Sequence, residues 1–261
     1  MLTMGASDRP TVVFLHGFMG SGADWLDVAR DLQPDFRCLM PDLPGHDGLP
    51  FYSDVSGNGF EAYASALWQR LEPELPPRFA LVGYSLGGRL ALHLACRHPE
   101  RLQFLVLESA HPGLSDAGER ERRALADAAW AQRFRSGLWP DVLETWYRQP
   151  VFASLSAEQR RECVARRAGH SPEAMATVLD IASLARQPDH WQDLPRLPFP
   201  IGFLTGSLDS RFRAVGERMA RLVPDLALLQ VDGLGHDCHT FAPQAVAEFI
   251  RRLCSAKHDR P

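Results

Sequence analysis

The chain has 261 residues, 45% of them hydrophobic and 23% charged, with a formal net charge of −4. That length can bury a large core and suits one α/β domain with an insertion, while the mildly acidic balance argues against a nucleic-acid partner, which calls for a strongly basic surface. No apolar run approaches a membrane span, the first ten residues lack the basic-then-apolar pattern of a signal peptide, and five cysteines without a C-x-x-C pair argue against a disulfide framework or zinc knuckle. A cytoplasmic protein with no stable membrane insertion is expected, either a monomer or a small homo-oligomer. Of the 28 Lys and Arg residues only Lys257 is a lysine, a bias that lowers the weight of any single arginine as a signal.

In chain order, residues 11–15 (T-V-V-F-L) form an apolar run that predicts a buried strand. It leads into His16-Gly17-Phe18-Met19-Gly20. A helix is expected from Trp25 to Leu32 and a short strand over 37–40, leaving through Pro41-Asp42-Leu43-Pro44-Gly45-His46. In that exit His46 reads as a loop-stabilising residue. Residues 47–59 are rich in Gly, Ser and Asp and predict a loop, followed by a helix from Phe60 to about Leu71. Residues 78–82 form another apolar strand, bounded by Pro76-Pro77, and run into Gly83-Tyr84-Ser85-Leu86-Gly87. A helical stretch begins at Gly88.

This last segment is G-x-S-x-G between a strand and a helix, the context of the nucleophile elbow of α/β-hydrolases. The glycines let neighbouring backbone approach closely, while the serine takes a strained conformation that exposes its Oγ. The Leu86 N–H at the helix start, with the positive end of the helix dipole, can face a developing anion. In the same fold the loop after the first apolar strand supplies a second oxyanion donor, here the Phe18 N–H.

After a strand over 102–107 the alternation stops. Residues 115–186 hold only helical patterns, at 116–135, 138–148, 156–168 and 171–185, and read as a helical lid inserted into a core formed by 1–114 and 187–261. The core resumes with a strand over 199–206, a helix over 212–222, a strand over 226–231 and a final amphipathic helix over 243–254. The tail from Ser255 is expected to fray. The expected fold class is α/β, an α/β-hydrolase fold with a mostly parallel central sheet flanked by helices.

The order Ser85, Asp209, His236 is the triad order of that fold. Asp209 and His236 each follow a strand, so both loops should emerge at the sheet end that carries Ser85. His236 would accept the Ser85 proton and Asp209 would fix its tautomer. Asp232, Asp237 and His239 lie nearby in sequence and read as loop residues. His93 reads as packing against the core. The same machinery can stabilise a tetrahedral acyl intermediate or an enolate, because both place charge on one oxygen.

Segments spread over nearly the whole chain resemble the 2-succinyl-6-hydroxy-2,4-cyclohexadiene-1-carboxylate synthases (MenH) of menaquinone biosynthesis. They include V-F-L-H-G-F at 13–18, D-L-P-G-H at 42–46, V-G-Y-S-L-G-G-R at 82–89, H-P-G-L at 111–114 and, most specifically, W-Y-R-Q-P-V-F-A-S-L at 146–155. Further matches are S-L-A-R-Q-P-D at 183–189 and D-S-R-F-R at 209–213. The resemblance implies a lyase that removes a proton α to a succinyl ketone and expels pyruvate, acting on a small polycarboxylate with no metal or organic cofactor. It implies Ser85, Asp209 and His236 as catalytic residues and Phe18 and Leu86 as the oxyanion hole. Arg89, Arg123 and Arg167 would bind carboxylates, and Tyr84, Trp146 and Phe152 would line the pocket.

The residues themselves support Arg89, one helical turn after Ser85. Residues 111–190 hold 11 Arg and 11 Asp plus Glu, so the stretch has no net positive charge, Arg123 can simply pair with Asp127 at i+4, and from spacing alone both Arg123 and Arg167 read more readily as structural than as site residues. Neighbouring Arg122 and Arg166 read as solvated. Two other functions remain open on the residues alone: a carboxylesterase or carbon–carbon bond hydrolase with an acylated Ser85, and a binding protein on the same fold.

Overall fold

A computed structural model describes residues 1–51 and 59–255, so residues 52–58 of the expected 47–59 loop and the tail 256–261 lie outside the described residues. In chain order the elements are β1 (Leu2–Met4), β2 (Thr11–Leu15), α1 (Leu26–Leu32), β3 (Arg37–Met40), α2 (Gly59–Leu71), β4 (Phe79–Tyr84), α3 (Leu86–Arg97) and β5 (Leu102–Glu108). Next come four helices, α4 (Ala117–Ser136), α5 (Trp139–Trp146), α6 (Ala157–Arg167) and α7 (Pro172–Ala182). The chain then continues through β6 (Ile201–Gly206), α8 (Ser210–Leu222), β7 (Ala227–Val231), α9 (Cys238–Phe241) and α10 (Pro243–Ser255).

The strands form one seven-stranded sheet in the order β1-β3-β2-β4-β5-β6-β7. Every neighbouring pair is parallel except β1 with β3. The short β1 was not anticipated: three half-exposed residues carry no periodic signal, and only the edge of β3 selects them as a strand. The central strands are buried on both faces, which is why they read as continuous apolar runs. Alternate residues serve opposite layers. Val12 and Phe14 pack with Trp25, just before α1, and with α1 and α10 through Leu32, Phe249 and Ile250. Val13 and Leu15 face the other way, toward a larger core that takes in Tyr63 and Leu67 of α2, Leu90 of α3 and Met175 of α7. Among the described residues no helix is long and apolar enough to cross a membrane.

Helix boundaries follow local chemistry. Asp116, Ser156 and Ser171 cap α4, α6 and α7 by accepting a backbone N–H three residues on. The α8 helix starts two residues earlier than its apolar pattern, because Asp209 accepts the Phe212 N–H at 3.1 Å.

Candidate active site

The β4–α3 turn holds Ser85 at φ 50° and ψ −109°. For a residue with a Cβ that conformation costs about 1–3 kcal/mol and persists only where the surroundings enforce it. The enforcement is steric: a Cβ on Gly87 would lie 2.2 Å from the Leu15 carbonyl oxygen, and one on Gly83 would lie 2.4 Å from that of Gly87. Elbow, β2 and α3 can interlock only because both positions lack side chains.

The three loops leaving β4, β6 and β7 converge. Asp209 is an acceptor, so the His236 Nδ1–H donates to its Oδ2 at 2.8 Å, leaving Nε2 to accept from the Ser85 hydroxyl at 3.3 Å. The second Asp209 oxygen is held by the Phe212 N–H, so the carboxylate has little freedom to turn. Asp232 instead accepts from Ser207 Oγ at the outer edge.

His239, three residues after His236 and in α9, is engaged elsewhere. Its Nδ1–H faces both Glu108 carboxylate oxygens at 3.1 Å, and its ring stacks on Trp25. Burial disfavours charge on this ring, but Glu108 and Asp237 outweigh that and raise its pKa from 6.5 to about 9. Glu108 also accepts the Cys238 and His239 N–H groups, tying the start of α9 to the end of β5. Sequence reading missed this anchor; its one trace was an acidic residue closing an otherwise apolar strand.

A cavity of about 510 Å³ opens onto Ser85. Its wall includes Phe18, Tyr84, Leu86, Arg89, Arg123, Trp146, Phe152, Asp209 and His236. Leu86 is the first residue of α3, where the N–H groups have no partner within the helix. The loop carrying Phe18 is fixed by His16, whose Nδ1–H donates to the Gly17 carbonyl while Nε2 accepts the Leu43 N–H at 2.9 Å. Burial lowers the His16 pKa to about 4 and keeps the ring neutral, as that pattern needs. Helices of the 117–182 stretch supply the opposite wall, including Arg123, Trp130 and Trp146, with Phe152 edge-on to the His236 ring at 6.3 Å. His46 is buried beside His16, Phe18 and His170, and His93 bonds His190 at 3.1 Å on the far side of α3.

The three expected arginines divide. Arg89 donates to the Ala182 carbonyl at 2.9 Å and to Gln187 Oε1 at 3.4 Å, both neutral acceptors. Burial and then the Arg123 charge lower its pKa to about 9. Arg123 does pair with Asp127, at 2.8 Å, yet still lines the cavity, and Ser183 shares the same Asp127 oxygen. Arg167 differs from the expectation. It does not line this cavity: both terminal guanidinium nitrogens are taken by Asp24, at 3.0 and 2.8 Å, with side chains only 11% and 8% exposed. Burial opposes its charge, but Asp24 and Tyr147 overcome this and hold its pKa above the ordinary value.

Two groups of potential metal ligands occur among the described residues, Cys96–His190–Asp193 and Glu108–Asp237–His239. The first lies in a separate cleft beyond His93, and in the second Glu108 is already engaged by α9.

Residues 10–243 match the alpha/beta hydrolase fold family. The chain is 40% identical over 249 residues, 95% of each chain, to the 2-succinyl-6-hydroxy-2,4-cyclohexadiene-1-carboxylate synthase of Escherichia coli O1:K1. To the synthase of Klebsiella pneumoniae (strain 342) it is 37% identical over 252 residues, covering 97% of this chain and 96% of the other. The solved structure of MenH from S. aureus superposes with a TM-score of 0.90 at 25% identity, covering 99% and 98% of the two chains. The geometry and these likenesses converge: the chain belongs to the 2-succinyl-6-hydroxy-2,4-cyclohexadiene-1-carboxylate synthase family, on the alpha/beta hydrolase fold.

Proposed function

We propose that the protein is the lyase its family name describes, eliminating pyruvate from 2-succinyl-5-enolpyruvyl-6-hydroxy-3-cyclohexene-1-carboxylate. The observation that carries this reading is one cavity holding both the Ser85–His236–Asp209 relay and Arg89, a cation without an ion-pair partner among the described residues. An uncompensated cation in a partly dry cavity favours an anionic ligand, which suits a polycarboxylate better than a neutral ester.

In this reading His236 takes the Ser85 proton and the Ser85 oxygen removes the ring proton α to the succinyl ketone. The electron pair forms a dienolate whose oxygen is held by the Phe18 and Leu86 N–H groups. Collapse moves the double bonds along the ring, breaks the bond to the enolpyruvyl oxygen and returns the proton through His236 to the departing enolpyruvate, which becomes pyruvate. Asp209 stabilises the imidazolium between the two transfers. Every one of these steps runs on the chain's own groups. Residues 115–186 act as the lid, bringing Arg123, Trp146 and Phe152 over the reacting ring.

The test is turnover of the enolpyruvyl substrate, followed by pyruvate release, with an activated ester in parallel. Fast pyruvate release with poor ester cleavage is expected. Ester cleavage with an acyl-enzyme burst and no pyruvate would mean that Ser85 is acylated and the lyase reading is wrong.

A further inference from the structure

A further cation stands in the cavity wall. Arg211, in the first turn of α8 and two positions after Asp209, lines the cavity beside Ser85, Arg89 and Arg123. Among the described residues no carboxylate comes within ion-pairing distance of it, in contrast to Arg167. Its pKa is lowered by partial dehydration and then by the Arg123 charge, against the pull of Asp209. The same positive field reaches His111 across the cavity: burial, then Arg211 and Arg89, bring that ring to about 4. Folding alone gives Arg211 no advantage here. A cation in the first turn of a helix opposes the helix dipole, and repulsion from Arg123 adds to the cost. An anion bound in the cavity removes both penalties.

The register of Arg211 is also fixed. Asp209 is clamped between His236 and the Phe212 N–H, so the first turn of α8 is set relative to Ser85. The lyase reading, on which this inference rests, gives the substrate three carboxylates: on the ring, the succinyl arm and the enolpyruvyl arm. Arg89 is held at depth by the Ala182 carbonyl, Arg123 is partly neutralised by Asp127, and Arg211 remains exposed at the rim.

We propose that Arg211 is a substrate-binding residue that grips the carboxylate nearest the cavity mouth, taking the third cationic place that the Asp24-bound Arg167 leaves open. A guanidinium fork suits a carboxylate, and its contact should strengthen binding of ground state and transition state alike.

The experiment compares Arg211→Ala and Arg211→Lys with the wild type in steady-state pyruvate release, with thermal melts on each protein. A lost charge-assisted contact should raise KM roughly 10- to 100-fold. With uniform binding lost, kcat stays within about threefold. Lysine should recover part of the KM, and neither variant should melt below the wild type, because the exposed side chain makes no ion pair in the fold and its charge opposes the helix dipole. An unchanged KM in both variants overturns the assignment. So does a loss confined to kcat with a displaced pH–rate profile, which would make Arg211 a modulator of Asp209 and His236. Wild-type protein that releases no pyruvate would instead remove the lyase reading itself, and this assignment with it.

Discussion

Replacing Glu108 by Gln should destabilise the protein below neutral pH and matter much less in alkali. Glu108 is fully buried and accepts from the His239 ring, the His239 N–H and the Cys238 N–H. The His239 pKa rises from 6.5 to about 9 in the fold. A raised pKa contributes stability that is complete below the unfolded value and is lost as pH climbs through the folded one. At about 1.4 kcal/mol per pH unit, the raised pKa of His239 contributes roughly 3 kcal/mol below pH 6.5 and less than about 1 kcal/mol at pH 9 and above, with Glu108 the larger and Asp237 the smaller source of it. Glutamine keeps the shape and one carbonyl acceptor but removes the charge. Urea unfolding of both proteins at pH 6, 7.5 and 9.5 would read the difference directly, provided the m-values agree. Because Asp237 still faces the ring in the variant, a gap of about 1–3 kcal/mol at pH 6 that closes toward pH 9.5 is the expected result. A gap of the same size at all three values would refute the reasoning, because it would trace the loss to packing or to neutral hydrogen bonds.

Ser85→Ala should lower kcat by roughly three orders of magnitude or more while relieving backbone strain only slightly; turnover near the wild-type rate would remove Ser85 as the base. Asp24→Ala strands the buried Arg167 charge and opens the capping contact to the Ser21 N–H, so a loss of about 3–5 kcal/mol is expected in chemical denaturation. A loss under about 1 kcal/mol would mean that water reaches Arg167 easily, as it does in surface pairs.

Much of the site was legible in the sequence because its parts are local. The strand, the glycine-flanked serine and the following helix lie within one short stretch, and the steric need for Gly83 comes from Gly87 within it, although Gly87 is pressed as well by Leu15 of β2. Asp209 and His236 could be assigned because each follows an apolar run, and parallel strands deliver their loops to one end of the sheet. The Arg123–Asp127 pair was likewise readable from helical spacing.

The rest depended on pairings between segments far apart in the chain. β1 exists because β3 offers it an edge. Arg167 and Asp24 are separated by 143 positions, so nothing in either segment announces that the guanidinium will be consumed before any substrate arrives. Glu108 meets His239 across 131 positions, and the free charge of Arg211 is visible only once the acidic groups around it have been placed. Sequence determined which residues can do the chemistry, through local sterics and strand order; tertiary structure decided which charges are already neutralised, because electrostatic pairing depends on distance in space.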